Sequence, residues 1–330
     1  MPNLNLKNFA KVKDSDFDLK DITVFAGKPG SGKSYIMKFQ YAFTEALSSI
    51  VNETYKMHYA LMDNEDEKFN FIFRNILEST FGDINQINEK FNFSYEQTSL
   101  SYSDNKLTTN DVIFDENING AIFVETPLIL EFQKFLPTER FKVPYHIDSL
   151  LQELNKNDFS FTSEDTNKFI HAFRDSTSKI INGNIDKGAQ GFSFVSDSGK
   201  NYNIVNASSG IKSIGLLQYL VTNKILKKGS TLFWEEPEVH LHPTWQLKMI
   251  DLFIELMNAG IKVVFSTHSP FMADYLNAKA TKGKFGEKIS FNLLSENDGV
   301  VSNTILKEEN WNLLQDELLG SLEDIMWEYL

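Results

Sequence analysis

Apolar residues follow two alternating patterns along the chain, short continuous runs typical of buried strands and three-to-four-residue spacings typical of helices. Residues 22–26 form an apolar run that ends at a glycine-rich loop. After this loop, residues 35–49 have helical spacing of apolar side chains, at Ile36, Phe39, Phe43 and Leu47. The pattern therefore predicts a strand, a glycine loop and a helix in that order, preceded by a short strand at 4–9.

The last third of the chain alternates between the two patterns most regularly. Helical spacings and strand-like runs follow one another at 210–227, 231–234, 244–258, 262–266 and 271–277. Two strands near 289–294 and 300–306 precede a final amphipathic helix at 311–330, whose apolar side we assign to the core, with a docking face as the alternative. Alternation of this kind predicts an α/β fold with a mostly parallel sheet flanked by helices.

Residues 51–205 are less regular and are predicted to be a lid insert, largely helical. The expected elements of the insert are a strand at 59–62, a helix at 65–80, hairpin strands within 91–114, a serine-capped helix from 163 and a strand region at 191–205. The insert lacks the heptads of a long coiled-coil arm. We expect one head over 1–330, with an antiparallel β subdomain at its N-terminus and with 206–330 as its second half.

Composition places the chain among ordinary globular proteins, with 42% hydrophobic and 23% charged residues. The chain has no cysteine, which rules out a thiol nucleophile and cysteine-bound zinc. The N-terminal residues do not resemble a signal peptide, and no apolar run approaches the roughly 18 residues of a membrane span. We therefore expect a cytoplasmic protein with no membrane partner.

The charge balance bears on possible partners. The net charge is −13, and only three of the 32 basic residues are arginines. An acidic chain of this kind is not expected to bind DNA phosphates non-specifically, although a local basic groove stays compatible with it. A nucleotide or protein partner is the better expectation, and DNA remains a possible but less favoured one.

The glycine loop carries the most specific motif of the chain. Its residues match the pattern G-x-x-x-x-G-K-[ST], and they are Gly27, Lys28, Pro29, Gly30, Ser31, Gly32, Lys33 and Ser34. Glycines let successive backbone N–H groups point at phosphates, and the N-terminus of the following helix adds partial positive charge. Lys33 can then reach the β- and γ-phosphates of ATP, and the Ser34 hydroxyl can ligate Mg²⁺. The alternative for the motif is a chance glycine-rich turn. For Lys28 and Ser31 the separate alternative is that they are loop surface.

Two later strands end in polar residues that suit phosphate chemistry. The run 231–234 is followed by Glu235 and Glu236, which can divide the labour between holding Mg²⁺ and activating water. His268 follows the run 262–266 and can hydrogen-bond a γ-phosphate. The alternatives are acids that favour a helix N-terminus, which explains Glu238 well, and a histidine that caps a helix or is satisfied in the core.

Two other motifs are ambiguous on their own. His240 and His242 form an H-x-H that suggests zinc, but we expect His242 to end a loop and start the next helix. Ser208, Ser209, Gly210 and Lys212 precede a helix, where serine and glycine are ordinary caps.

The order of these motifs resembles ATP-binding-cassette (ABC) type P-loop ATPases. The combination of E-E-P-E-x-x-L-H-P at 235–243 with S-T-H-S-P at 266–270 is similar to the OLD and RecF-like branch of these ATPases. Strand 4–9 and the arginine-bearing segment 135–140 resemble parts of the same branch. The usual Q-loop glutamine has no clear counterpart, with Gln97 and Gln133 as weak candidates. Too little chain follows His268 for a nuclease domain, so nuclease activity is not expected in this chain.

The resemblance implies a site shared between two copies. Ser208, Ser209 and Gly210 at a helix start of one copy would meet the γ-phosphate held by the other, and Lys212 would add charge. It also implies that Glu235 holds Mg²⁺, that Glu236 activates water and that His268 is the switch histidine.

The resemblance also suggests a function. We expect an ATP-dependent homodimer or higher oligomer that hydrolyses ATP and regulates a separate effector protein, as related ATPases do in anti-phage defence of the PARIS, Septu and abortive-infection types. The alternatives are a RecF/SMC-like DNA-repair ATPase that clamps DNA and a scaffold that binds nucleotide without hydrolysis.

Overall fold

The structure of the protein is a computed structural model that describes residues 3–52, 62, 64–132, 143–156, 163–239 and 241–329. The helices within these ranges are Lys33–Val51 (α1), Glu65–Phe81 (α2), Ile129–Phe132 (α3), Tyr145–Asn155 (α4), Glu164–Ile181 (α5), Ser209–Thr222 (α6), Pro243–Asn258 (α7), Pro270–Gly283 (α8) and Asn312–Tyr329 (α9). No helix of these ranges is both long and apolar enough to cross a bilayer.

The strands are Leu4–Phe9 (β1), Val12–Phe17 (β2), Ile22–Gly27 (β3), Phe91–Tyr95 (β4), Thr98–Ser103 (β5), Lys106–Asn110 (β6), Ala121–Val124 (β7), Gly183–Gly188 (β8), Gly191–Ser196 (β9), Asn201–Asn203 (β10), Thr231–Trp234 (β11), Lys262–Thr267 (β12), Ile289–Asn297 (β13) and Val300–Ile305 (β14). Within the described ranges, eleven of them form one sheet in the order β6-β5-β4-β1-β2-β14-β13-β3-β12-β11-β7, and β8–β10 form a separate antiparallel sheet.

The half of the large sheet that carries the site is parallel. Strands β13, β3, β12, β11 and β7 are paired in parallel, so their carboxyl ends meet at one edge. Beyond them, β1 and β2 form the antiparallel part that was predicted for the N-terminus, and β4–β6 extend it as the hairpin strands predicted within 91–114 of the insert. The structure confirms the predicted α/β class with helices on both faces of the sheet.

Both faces of the parallel strands are buried, because successive residues of a strand pack into apolar clusters on opposite sides of the sheet. Val24 of β3 belongs to one apolar cluster, which also holds the buried sides of α6, α7 and α8. The adjacent Phe25 belongs to the other cluster, together with residues of α1 and α2. Parallel strands that are covered on both sides have continuous apolar sequences, which is why 22–26 was recognisable as a strand.

The insert is where expectation and structure differ most. It contains helices α2–α5, but it also contributes strands β4–β6 and β7 to the large sheet and forms the small sheet. Helix α6 ends at Thr222, earlier than the predicted 227, while α8 extends from Pro270 to Gly283, beyond the predicted 277. The predicted strand 59–62 and the segment 135–140 lie outside the described residues, except for Met62.

Candidate nucleotide site

The glycine loop connects the carboxyl end of β3 with the N-terminus of α1, as the motif requires. Gly30 and Gly32 have φ of +82° and +85°, a left-handed conformation that strongly favours glycine. Gly27 has no room for a side chain, because a Cβ there would lie 2.3 Å from the backbone oxygen of Leu294. The loop is therefore a backbone cradle whose shape depends on its glycines.

Lys33 lies at the centre of this cradle. Its ammonium donates to the carbonyl oxygens of Gly27 at 2.8 Å and Lys28 at 2.9 Å, and to Ser31 Oγ at 3.2 Å. The residue is 5% exposed, and burial lowers the pKa of its amine to about 8 despite the nearby Glu236 and Glu238. A triphosphate would therefore supply the negative charge that this buried amine lacks.

The end of β11 places Glu235 beside the helix that starts at Lys33. Burial raises the pKa of the Glu235 carboxyl, while Lys38 and the Ser34 hydroxyl beside it act in the opposite direction. Its Oε1 atom is buried without a hydrogen-bond partner among the described residues. A buried, unsatisfied carboxylate oxygen next to a hydroxyl fits Mg²⁺, which usually takes one or two protein oxygens and completes its shell with water and phosphate.

Glu236 and His268 are brought together from two neighbouring strand ends. His268 Nε2 lies 3.0 Å from Glu236 Oε1. Glu236 has a φ of +45°, which is uncommon for a side chain of this type, and its N–H group donates to the carbonyl oxygen and the hydroxyl of Ser266, both at 3.2 Å. The unusual backbone conformation is therefore held by the adjacent strand, and it aims the side chain at the histidine.

Glu238 has a different role from the one that helix-dipole reasoning gives it. Helix α7 begins only at Pro243 and has no acid in its first turn. The Glu238 carboxylate instead accepts hydrogen bonds from Thr267 Oγ1 at 2.9 Å and from the His268 N–H at 2.6 Å. Burial raises the pKa of this carboxyl. Glu238 thus ties the loop after β11 to the loop that carries His268.

Ser208, Ser209 and Gly210 form the start of α6. Ser208 is the exposed N-cap, and its Oγ accepts the Ile211 N–H at 3.4 Å. Ser209 is partly exposed, and Gly210 is buried, where a Cβ would lie 3.1 Å from the Trp245 ring. The first N–H groups of a helix have no acceptor within it, so those of Ser209 and Gly210 are suited to an anion that approaches the helix start.

Lys212 is not placed as expected. Its side chain is 6% exposed, and its ammonium forms an ion pair with Glu131 Oε1 at 2.6 Å within the same copy. A lysine that is buried and paired in this way is not presented to a nucleotide held by another copy. The positive charge that Lys212 was expected to add at the start of α6 is therefore not exposed at the protein surface.

Three residues near Glu235 were not singled out from the sequence. Glu125 follows β7, the strand that pairs with β11, and its carboxylate lies 3.0 Å from both His146 Nε2 and Lys38 Nζ. The hydrogen bond from His146 and the charge of Lys38 lower the pKa of Glu125 to about 2. In the sequence, only its position at the end of a strand indicates that Glu125 could belong to the site. No local feature indicates this for His146, which lies 21 residues later on α4.

A cavity of about 270 Å³ lies directly beside the glycine loop. Its described lining is mostly apolar and comprises Phe9, Ala10, Lys11, Val12, Gly30, Gly32, Tyr35, Ile36, Gln86, Ile87 and Val301. The β1–β2 turn, the start of α1 and the segment after α2 therefore enclose a space next to the phosphate cradle.

Other candidates lie away from this edge. Gln97 is exposed on the β4–β5 turn, away from the strand ends that carry the site, and the strand end beside Glu235 carries Glu125. Gln133 and His240 lie outside the described residues. His242 caps α7, with its Nδ1 2.9 Å from Thr244 Oγ1, and the described residues contain no cluster of three or more metal-binding side chains. The zinc interpretation therefore receives no support.

The fold and the glycine loop are those of a P-loop ATPase domain. A family model described as an AAA ATPase domain matches residues 51–273, about two thirds of the chain, and the chain belongs to this family. The match includes the strand ends with Glu235, Glu236 and His268, and it begins after the glycine loop.

Three solved structures are similar to the chain, and the first of them supports the fold. An SMC head bound to the C-winged helix domain of ScpA has 16% identity and a TM-score of 0.52, over 93% of this chain and 97% of that chain. An SMC head domain from Thermotoga maritima has 12% identity and a TM-score of 0.48, over 93% and 98% of the two chains. An ATP-binding cassette of an ABC transporter, in its ADP conformation, has 14% identity and a TM-score of 0.43, over 98% of both. No curated protein sequence matches the chain significantly.

Proposed function

We propose that this chain binds MgATP in its glycine loop, hydrolyses it between two copies of itself, and thereby regulates a separate effector protein. The observation that carries the proposal is the convergence of three adjacent strand ends. Lys33 follows β3, Glu235 and Glu236 follow β11, and His268 follows β12. Ligands of open α/β sheets bind at this edge, where the carboxyl ends of the strands meet.

The paired Glu236 and His268 suit the hydrolytic step. Glu236 can accept a hydrogen bond from a water molecule and orient it for attack on the γ-phosphorus, while His268 hydrogen-bonds the carboxylate and can contact the phosphate. The side chains are 41% and 27% exposed, so both remain accessible at the edge of the sheet. Ser34 and Glu235 would hold Mg²⁺, which when bound neutralises charge on the β- and γ-phosphate oxygens.

The cavity beside the loop supports a nucleotide rather than inorganic polyphosphate as the substrate. Its volume of about 270 Å³ suits a nucleoside, and its apolar walls at Ile36, Ile87 and Val301 suit the faces of a base. Tyr35 is 38% exposed at this cavity and offers a ring for stacking. We assign the adenosine of ATP to this space.

Self-association is inferred from features at the same edge that one copy leaves unused. The N–H groups that begin α6 have no acceptor within the helix, and the exposed Ser208 and partly exposed Ser209 leave an anion access to the helix start. Phe271 is 64% exposed and Val239 is 42% exposed, and they directly follow the segments with His268 and Glu236. Exposed apolar side chains that lie close to one another can form part of a protein interface.

The main test uses two variants and one control. Glu236→Gln should bind ATP, hydrolyse it at least about 100-fold more slowly, and accumulate as a dimer, because water is no longer activated. Lys33→Met should lose ATP binding. Glu89→Gln, at an exposed acid away from the strand ends, is the control and should behave like the parent. Light scattering with and without ATP measures the particle size, and calorimetry measures the affinity.

The proposal fails in a defined way. Unchanged hydrolysis in Glu236→Gln would remove the catalytic role of this carboxylate and favour nucleotide binding without hydrolysis. A Glu236→Gln protein that stays monomeric in saturating ATP would remove the shared site. If Lys33→Met and the parent bound ATP with equal affinity, the glycine loop would not be the phosphate-binding site.

The effector and the setting in anti-phage defence are the further part of the proposal. The structure of an SMC head with a domain of ScpA shows that a head of similar fold can hold another protein. We expect the product of a neighbouring gene to co-purify with this chain and to dissociate, or change activity, on ATP hydrolysis. Absence of a complex in the apo, ATP and ADP states would contradict this part. The net charge of −13 gives the DNA-clamp alternative no support.

A further inference from the structure

The ion pair between Lys212 and Glu131 joins two parts of the chain that are far apart in sequence. Lys212 Nζ lies 2.6 Å from Glu131 Oε1 and also donates to the Val205 carbonyl oxygen at 3.3 Å. Lys212 is in the first turn of α6, one turn after Ser208, and Val205 precedes the same helix start. A single ammonium therefore holds both sides of the loop that leads into α6.

Glu131 belongs to the short helix α3, which is firmly placed. Its neighbours Ile129 and Leu130 are 5% and 2% exposed and lie in the core cluster with Trp234 and Leu232 of β11. Strand β7, which is separated from α3 by four residues, pairs with β11 in parallel. The position of Glu131 is therefore set by the same strands that place Glu235 and Glu236.

From this geometry we infer that Lys212 and Glu131 are a positioning pair that sets the start of α6 relative to the carboxylates after β11. Neither residue touches nucleotide. The inference rests on the proposed function, because the start of α6 matters for hydrolysis only if it meets a nucleotide held by a second copy.

The surroundings of Lys212 favour positioning over direct phosphate contact. To reach a phosphate of another copy, the ammonium would have to leave Glu131 and the Val205 carbonyl oxygen and move from a site that is 6% exposed to the surface. That movement would leave the Glu131 carboxylate, whose side chain is 24% exposed, without its cationic partner. Breaking a buried pair is costly, whereas replacing both members by apolar groups is often tolerated.

The two roles predict opposite results for Glu131→Gln. If the pair positions α6, Glu131→Gln and Lys212→Met should both lower kcat by about tenfold or more, with ATP affinity within about twofold of the parent, because the glycine loop is untouched. In the Glu236→Gln background, both changes should weaken ATP-induced dimerisation by about tenfold. The double variant Lys212→Met/Glu131→Leu should recover most of both losses.

Direct contact predicts the reverse pattern. Glu131→Gln would then release the lysine and leave kcat unchanged or higher, and the double variant would be no better than Lys212→Met alone; either result overturns the inference. Lys168→Met is the matched control, because Lys168 forms an exposed ion pair on α5, and it should leave every value unchanged. Thermal midpoints accompany each variant.

Three further outcomes are also decisive. If a single variant fails to fold while the double variant folds and is active, the pair acts within one copy and the inference holds. If the double variant folds but stays inactive, the inference is overturned. If Glu236→Gln with an intact pair does not dimerise in ATP, both the proposed function and the inference fail. If it does dimerise, but Glu131→Gln leaves both kcat and dimerisation at the parent values, only the inference fails.

Discussion

The buried amine of Lys33 makes the stability of the nucleotide-free protein depend on pH in a way that one substitution should remove. Its pKa is lowered from 10.5 to about 8, chiefly by burial. In the unfolded chain the lysine keeps its proton up to about pH 10.5. Between these two values the unfolded state binds more protons than the folded state, so the free energy of unfolding rises with pH.

The size of the effect follows from the two pKa values. Each pKa unit corresponds to about 1.4 kcal/mol, and integration from pH 7 to pH 10 gives a gain of about 2.5 kcal/mol in the free energy of unfolding. Lys33→Met has no titrating group at this position and should lack this gain. The three hydrogen bonds that the variant also loses shift its curve by a constant and do not change its slope.

Urea unfolding of parent and Lys33→Met at several pH values between 7 and 10, without nucleotide, provides the measurement. The difference between their free energies of unfolding cancels the other lysines and tyrosines that titrate in this range. Lys168→Met, at an exposed lysine, should follow the parent. The free energy of unfolding of the parent minus that of Lys33→Met should rise with pH. If this difference stays constant or falls as pH rises, the amine of Lys33 does not have a pKa lowered by burial, and the reasoning is refuted.

Three further predictions concern two residues of the site and one acid of α1. Glu238→Ala should cost about 2–4 kcal/mol in urea unfolding, because Thr267 Oγ1 and the His268 N–H lose their acceptor, and Glu238→Gln should cost less. Gly32→Ala should lower stability by about 1–2 kcal/mol through its φ of +85° alone, since nothing lies within 4 Å of the added Cβ, and a much larger loss would contradict this. Burial raises the pKa of Glu45 from 4.5 to about 7, so the parent should lose stability as pH rises across that interval, and Glu45→Gln should show a flatter pH profile in thermal unfolding.

The sequence was most informative where local chemistry and periodicity agree. The glycine loop could be placed between β3 and α1 because the apolar run and the helical spacing flank a motif whose glycines adopt left-handed backbone conformations. Glu236 and His268 could be assigned to one site because strands of a parallel sheet end at the same edge. The 3.0 Å separation of their side chains agrees with that reasoning.

The sequence was least informative where a charged side chain finds a distant partner. Lys212 looks like a surface residue of a helix start, but its partner Glu131 lies 81 positions earlier. Glu238 resembles a helix-capping acid, but its donors come from the next strand. Such pairs depend on which strand ends are neighbours, and the order of strands along a sheet is not encoded in local periodicity.

The charged groups at the sheet edge form two linked layers, and this arrangement bears on how a head could respond to its nucleotide. The outer layer consists of Glu235, Glu236 and His268, to which the proposed function assigns contacts with Mg²⁺, water and phosphate. Behind it, Glu238 holds the backbone of His268, while Lys212 holds the start of α6 to α3. Glu238 follows β11, and Glu131, the partner of Lys212, follows β7. Because β11 and β7 are paired, a shift at one of these strand ends would move both His268 and the start of α6. We therefore expect variants of the supporting residues to alter hydrolysis and self-association jointly, whereas variants of the cradle alter nucleotide affinity first. A supporting variant that changed kcat while leaving ATP-induced dimerisation at the parent value would show that the two layers act independently.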